Sequence, residues 1–236
     1  LASALGTVPC SRLSAALDPE AGRIAIRGHA PDDAAAAAAL AAARAALGGA
    51  FAVESDIARL PSPQCGALEA LDALGLPQSN DQTDDPLSVG RAAEARRLAF
   101  AEGEVVALEI EAADFDSYLT LDAFDSAGRV THLAPNAYAP PEITPAGRVF
   151  AFGDGGPDGA GLTLVVEPPF GIDVIAVIAT TRPPFPEPRP LVEDAAAYLA
   201  ALRARLAALR AADPSFRGEW AYMTLETRPR GAASAR

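Results

Sequence analysis

"DSYLTLDAFDSAGRVTHLAPN", residues 116 to 136, carries the clearest strand and turn pattern in the chain, and the architecture builds out from it. "YLTLDAF" alternates apolar and polar residues with the period of two expected of a half-buried strand, and "RVTHLAP" begins the same way. Between them Asp125, Ser126, Ala127 and Gly128 make a turn in which Gly128 is free to take positive φ. The two runs are therefore hairpin partners. Pro135 cannot donate to a sheet ladder and terminates the second strand.

On either side, "VVALEIEA" (105–112), "GLTLVVEPP" (161–169) and "IDVIAVIATT" (172–181) supply further strand candidates. Five short strands joined by Gly, Pro and Asp clusters favour an antiparallel, immunoglobulin-like sandwich over a parallel sheet. Beyond them "RPPFPEPRP" (182–190) reads as a stiff connector rather than a polyproline ligand. "LVEDAAAYLAALRARLAALRAAD" (191–213) places Leu199, Leu202, Leu206 and Leu209 on one helical stripe. "EWAYMTLETRP" (219–229) alternates again, with Trp220, Tyr222 and Thr224 on one face of a last strand. Upstream, "GRAAEARRLAFAEGE" (90–104) is rich in helix-compatible residues, and Gly103 ends it. The polar, acidic, proline-flanked "PQSNDQTDDPLS" marks a linker over residues 77–92, so the sandwich domain occupies residues 93–230.

Before the linker, Cys10 and Cys65 bracket a β-α-β unit. "RIAIRGH" (23–29) and "AFAVESDIARL" (50–60) are its strands, and "PDDAAAAAALAAARAAL" (31–47) is its helix. Asp32 or Asp33 caps the helix, Gly48 and Gly49 stop it, and "GALEALDALGL" adds a short amphipathic helix after Cys65. A unit of this size has a thin core, and a cross-link closing its ends stabilises it by roughly 4 kcal/mol through chain entropy. A Cys10–Cys65 disulfide within a domain of residues 8–76 is the expectation, against two unrelated thiols. Such a bridge implies an oxidising, periplasmic or otherwise extracytoplasmic compartment. A metal is disfavoured because neither cysteine sits in a C-x-x-C pair and His29 and His132 lie in different segments. The overall expectation is an α+β chain: β-α-β domain, linker, β-sandwich, then helix and strand.

Composition narrows the function. The formal net charge is −12 and all 19 basic residues are arginine, so nucleic acid and anionic membrane surfaces are poor partners. The lack of lysine excludes Schiff-base and P-loop lysine chemistry. No apolar run reaches the roughly 18 residues of a membrane helix, so direct membrane insertion is not expected, although "LASALGTVPC" is compatible with the remnant of a removed signal and an upstream anchor is compatible with the rest.

Catalytic readings are weak. His132 would need a nucleophile and an orienting acid; Ser117 and Asp116 are near in sequence, but no G-x-S-x-G elbow exists. "FGDGGPDGAG" (152–161) lacks both the P-loop lysine and the final glutamate of a calcium loop, and reads as a hairpin loop. Glu109 and Glu111 alternate with Leu108 and Ile110 as the solvated face of a strand. Asn136 reads as a turn cap. His132, Asn136 and Tyr138 form the candidate ligand or partner surface, with no catalytic residues, metal or cofactor expected.

Two resemblances add context. "RIAIRGHAPDDAAAAAALAAARAALGGAFAVESDIARL" resembles the BON-type module of bacterial envelope proteins, with Gly28 at its turn. "YLTLDAFDSAGRVTHLAPN", "ITPAGRVFAF", "EPPFGIDVIAVIATTRPPF" and "AAAYLAALRARL" resemble bacterial domain of unknown function 4384 over residues 100 to 210. That family is appended to serine/threonine kinases and caspase-like proteins, and membership implies an accessory β-sandwich. The chain itself has no glycine-rich loop with lysine, no H-R-D and no D-F-G. The resulting expectation is a non-catalytic extracytoplasmic sensing or interaction module of a membrane-linked kinase system, binding a protein or cell-envelope ligand. An envelope structural or cell-wall-associated protein is the alternative, and a hydrolase using Ser117 or His132 a minor one.

Overall fold

The computed structural model describes residues 1–79, 88–91, 95–157 and 161–231. Most of the 77–92 linker and part of the 152–161 loop lie outside the described residues.

The first sheet has the order β3-β2-β1-β4. Its strands are β1 (Arg12–Asp18), β2 (Arg23–Ala30), β3 (Ala52–Arg59) and β4 (Ser88–Gly90), with the short helix α1 (Ala2–Leu5) before them. β2 and β3 are parallel and joined by α2 (Asp33–Leu47), as the β-α-β pattern predicts. The Asp32 carboxylate accepts from the Ala35 N–H at 2.8 Å, and Gly48 closes the helix in the left-handed conformation. β1, which the strand pattern did not announce, pairs antiparallel with β2 and buries Leu13 and Ala15.

The larger sheet runs β12-β8-β7-β11-β13-β5, with β9 beside β7. These strands are β5 (Arg97–Ala101), β7 (Ser117–Phe124), β8 (Arg129–Ala134), β9 (Ile143–Thr144), β11 (Ile172–Thr180), β12 (Val192–Asp194) and β13 (Gly218–Arg228). One face carries α3 (Gln64–Asp72) and α4 (Ala195–Ala212), with Leu68, Leu71, Leu202 and Leu206 packed on Val174, Ile178, Trp220 and Tyr222. The other face is covered by a two-stranded ribbon of β6 (Leu108–Glu111) and β10 (Val149–Phe152), whose Leu108, Ile110 and Phe152 meet Leu121, Ile175, Met223 and Leu225. The protein is α+β, with a C-terminal helix followed by a strand, and its sandwich is lopsided, one broad sheet against one narrow ribbon.

Three local expectations change. Residues 97–101 form a strand, not a helix, because Leu98 and Phe100 gain the core beside Met223 while the backbone pairs parallel with β13; tertiary pairing overrides the helical propensity of Ala and Arg. Residues 161–169 form no strand: Leu164 and Val166 divide their backbone bonds among Gly103, Glu104, Val106 and Gly153, leaving only isolated bridges. Along α4, Leu199, Leu202 and Leu206 are buried but Leu209 is only half-buried.

Cys10 and Cys65 are joined, with Cα atoms 5.3 Å apart. Cys65 lies on α3, so the bridge ties the start of β1 to a helix that packs in the core of the larger sheet. Arg12 reinforces this junction. It is 4 % exposed, its guanidinium lies 4.9 Å from the Trp220 ring centroid, and it pairs with Asp72 at 3.2 Å and bonds Gln78. Among the described residues, no helix is long and apolar enough to cross a membrane.

Candidate functional site

The strand ending in "HLAPN" carries two neighbouring arrangements, one buried and one open. In the buried one, Asp122 on β7 stands opposite His132 on β8, next to a register shift at Leu121/Asp122. Asp122 Oδ1 lies 2.7 Å from His132 Nδ1, and Glu193 Oε1 from β12 lies 3.0 Å from His132 Nε2. The Tyr198 hydroxyl of α4 donates to Asp122 Oδ2 at 2.6 Å, and Arg189 Nε donates to Glu193 Oε1 at 2.7 Å. The Tyr198 ring meets the imidazole edge-on, centroids 4.6 Å apart. One chain of bonds thus fastens two central strands, an edge strand, a helix and the proline-rich connector.

The electrostatics follow from this geometry. Burial opposes charge on His132, but its hydrogen bonds to Asp122 and Glu193, with the charges of those carboxylates, outweigh it and raise the imidazole pKa. Burial also raises the Asp122 carboxyl, against the pull of His132 and Tyr198, so the pair holds a proton firmly. Glu193 is lowered, chiefly by its hydrogen bond from Arg189. Burial, joined by Asp122, pushes the Tyr198 phenol well above its ordinary value. Both ring nitrogens of His132 are occupied by carboxylates, which leaves neither to accept a proton from a nucleophile. Ser117 pairs with Thr144, five residues along β7 from the partner of His132, and Asp116 instead accepts from the Ala146 N–H. The structure does not assemble these three residues into a triad.

Asn136 links the buried arrangement to the open one. Its Nδ2 donates to the carbonyls of His132 and Leu133, and its Oδ1 accepts from the N–H groups of Tyr138 and Ala139. Asn136 is 5 % exposed, whereas Tyr138 is 83 % exposed. The loop thereby holds Tyr138 at the rim of a cleft of about 360 Å³, floored by Leu119 and Leu121 and walled by Pro135, Ile143 and Phe150. Arg148 lies over the Phe150 ring at 5.6 Å.

Of the three residues expected to form a ligand surface, Tyr138 therefore borders the open cleft, while His132 and Asn136 are buried supports. Asp122, Glu193 and Tyr198 are not foreseeable from the sequence because the bonds among them and His132 span 10 to 76 positions, and Arg189, four positions from Glu193, joins only through it. Among the described residues, no group of three or more His, Cys, Asp or Glu side chains is placed to hold a metal ion.

Fold and site together define an α+β protein with a broad sheet braced by a buried polar chain and a cleft at its narrow-ribbon side. Residues 99–183, from β5 to just past β11, match the model of a family described as Domain of unknown function (DUF4384). This upholds the resemblance carried by the 116–136 hairpin and the strand at 172–181. No curated protein and no solved structure matches the chain.

Proposed function

We propose that this chain is a non-catalytic extracytoplasmic interaction module, the envelope-side sensing region of a membrane-linked serine/threonine kinase system, and that it engages a protein partner through the cleft beside Tyr138. The observation that carries the reading is the pairing of a clamped loop with an exposed aromatic ring. Asn136 uses its side chain to fix the loop, and Tyr138 is left 83 % exposed over an apolar-floored cleft. A pre-positioned tyrosine loses little entropy on binding and is a common anchor of interfaces. The Cys10–Cys65 bridge fits an oxidising compartment. The full occupation of His132 by carboxylates supports a structural rather than a catalytic role.

Site-specific photocrosslinking tests this. A crosslinking amino acid replacing Tyr138 is expected to capture an envelope protein, while the same group at Ala207, exposed on α4, captures none. Equal labelling from both positions, or turnover of a defined substrate by the isolated chain, contradicts the reading.

A further inference from the structure

The cleft has a second property, set by the backbone of β10. Among the described residues, β10 pairs with β6 alone. The bond from the Ala112 N–H to the Arg148 carbonyl fixes the phase of that ladder, so the peptide groups of Val149 and Ala151 point away from β6. Arg148, Phe150 and Phe152 line the cleft and no β6 residue does, which puts the cleft on that outward side. The edge reads "VFAF", apolar and without the charge or proline that usually guards an edge strand.

The two faces of this edge differ. Phe150 and Phe152 turn toward the cleft floor of Leu119 and Leu121. Val149, 58 % exposed, and Ala151 lie opposite Glu111 and Glu109 of β6. A strand added to β10 has its cleft-side residues against Phe150 and Tyr138. Its solvent-side residues stand two strands, about 10 Å, from Glu109 and Glu111, with only the short side chains of Val149 and Ala151 between, a span that a long basic side chain bridges, on a chain of net charge −12. Glu142 adds a negative charge on the opposite rim, and Arg148, stacked on Phe150, bounds the acidic stretch at one end. Arg96 approaches Glu109 only at 3.9 Å, with both side chains largely exposed. A second copy of this chain pairing edge to edge would bring two such glutamate rows together, which disfavours self-association.

We propose that β10 and its cleft bind an extended segment of a partner polypeptide by strand addition, the segment alternating apolar residues, which enter the cleft, with long basic residues, which reach across Val149 and Ala151 to Glu109 and Glu111. Main-chain bonds to Val149 and Ala151 supply affinity, and the alternating side chains supply selectivity. This rests on the cleft reading above and names its partner class.

The test uses the full oxidised chain and a fluorescent octapeptide of alternating arginine and valine, measured by anisotropy. Comparison peptides have the same residues in two blocks, glutamate for arginine, or N-methyl groups on every second amide. Saturable binding is expected only for the alternating basic peptide, with about tenfold or greater weakening for each comparison peptide. Ala151→Pro, which removes an outward N–H where an edge strand tolerates proline, and Tyr138→Ala are each expected to weaken it about tenfold. No saturable binding, equal affinity for the block, acidic or N-methyl peptide, or undiminished affinity in Ala151→Pro overturns strand addition. If Ala151→Pro folds poorly, the N-methyl peptide decides the same question with the unaltered chain. Loss in Tyr138→Ala with none in Ala151→Pro overturns strand addition but leaves the cleft reading standing. Indifference to both variants removes both.

Discussion

His132 supports the fold through charge. It lies between Asp122, which is fully buried, and Glu193. His132→Ala leaves the Asp122 carboxylate without its ring partner, and we expect a loss of about 3–5 kcal/mol in urea unfolding. The folded pKa of His132 is raised above its unfolded value, so the stabilisation is complete below the unfolded value and is lost as pH rises through the folded one. The wild type should therefore lose more stability than His132→Ala across that window; parallel pH profiles would show that the charge is idle. Asp173 gives the opposite test. Burial, with a contribution from Asp125, raises its carboxyl to about 6. An acid with a raised folded pKa loses stability as pH climbs from its unfolded value through that point. Asp173→Asn should accordingly stabilise the protein by about 3 kcal/mol at neutral pH and by little at pH near 4; a pH-independent effect would contradict this assignment.

Among the elements, the β1–β2 pair and the bridge to α3 decide how the first sheet is held. Gly28 sits inside β2 at φ +118°, and a Cβ there would lie 2.1 Å from the Arg12 carbonyl oxygen. Gly28→Ala must therefore push β1 away from β2 or distort both, and a cost of about 3 kcal/mol or more is expected in thermal unfolding. A cost below about 1 kcal/mol would mean that the strands separate easily at this point. The disulfide spans 55 positions. Replacing Cys10 and Cys65 with serine should lower stability by about 4 kcal/mol on the chain-entropy argument. Because Cys65 is on α3, amide exchange should quicken both in β1 and in α3. Quickening confined to residues before Cys65 would show that the bridge closes only the first unit.

For the molecule as a whole, legibility tracks how local the physics is. The 116–136 hairpin is readable because strand period, turn residues and terminating proline all act within a few positions. The parallel β2-α2-β3 unit is readable for the same reason, from its cap at Asp32 to its stop at Gly48. β5 is not, since its Ala and Arg favour a helix and only the parallel edge of β13 makes it a strand. β1 is hidden by Ser14, Ala15 and Ala16, weak strand formers whose burial depends on β2. The site divides likewise. Asn136 is legible as a turn cap, but the chain from Tyr198 to Arg189 joins residues from separate elements, and no spacing announces it.

An oxidising compartment is central to the proposed role, and the Cys10–Cys65 link between the two sheets is what reports on it. The most direct check is the intact mass of the chain recovered from its native cells, measured with and without reductant alongside a count of free thiols. The expected result is a mass two hydrogens below the reduced value and no free thiol until reductant is added, with Cys10 and Cys65 in one cross-linked peptide pair. Two free thiols in folded native protein would contradict the extracytoplasmic reading and, with it, the proposed role at the cell envelope.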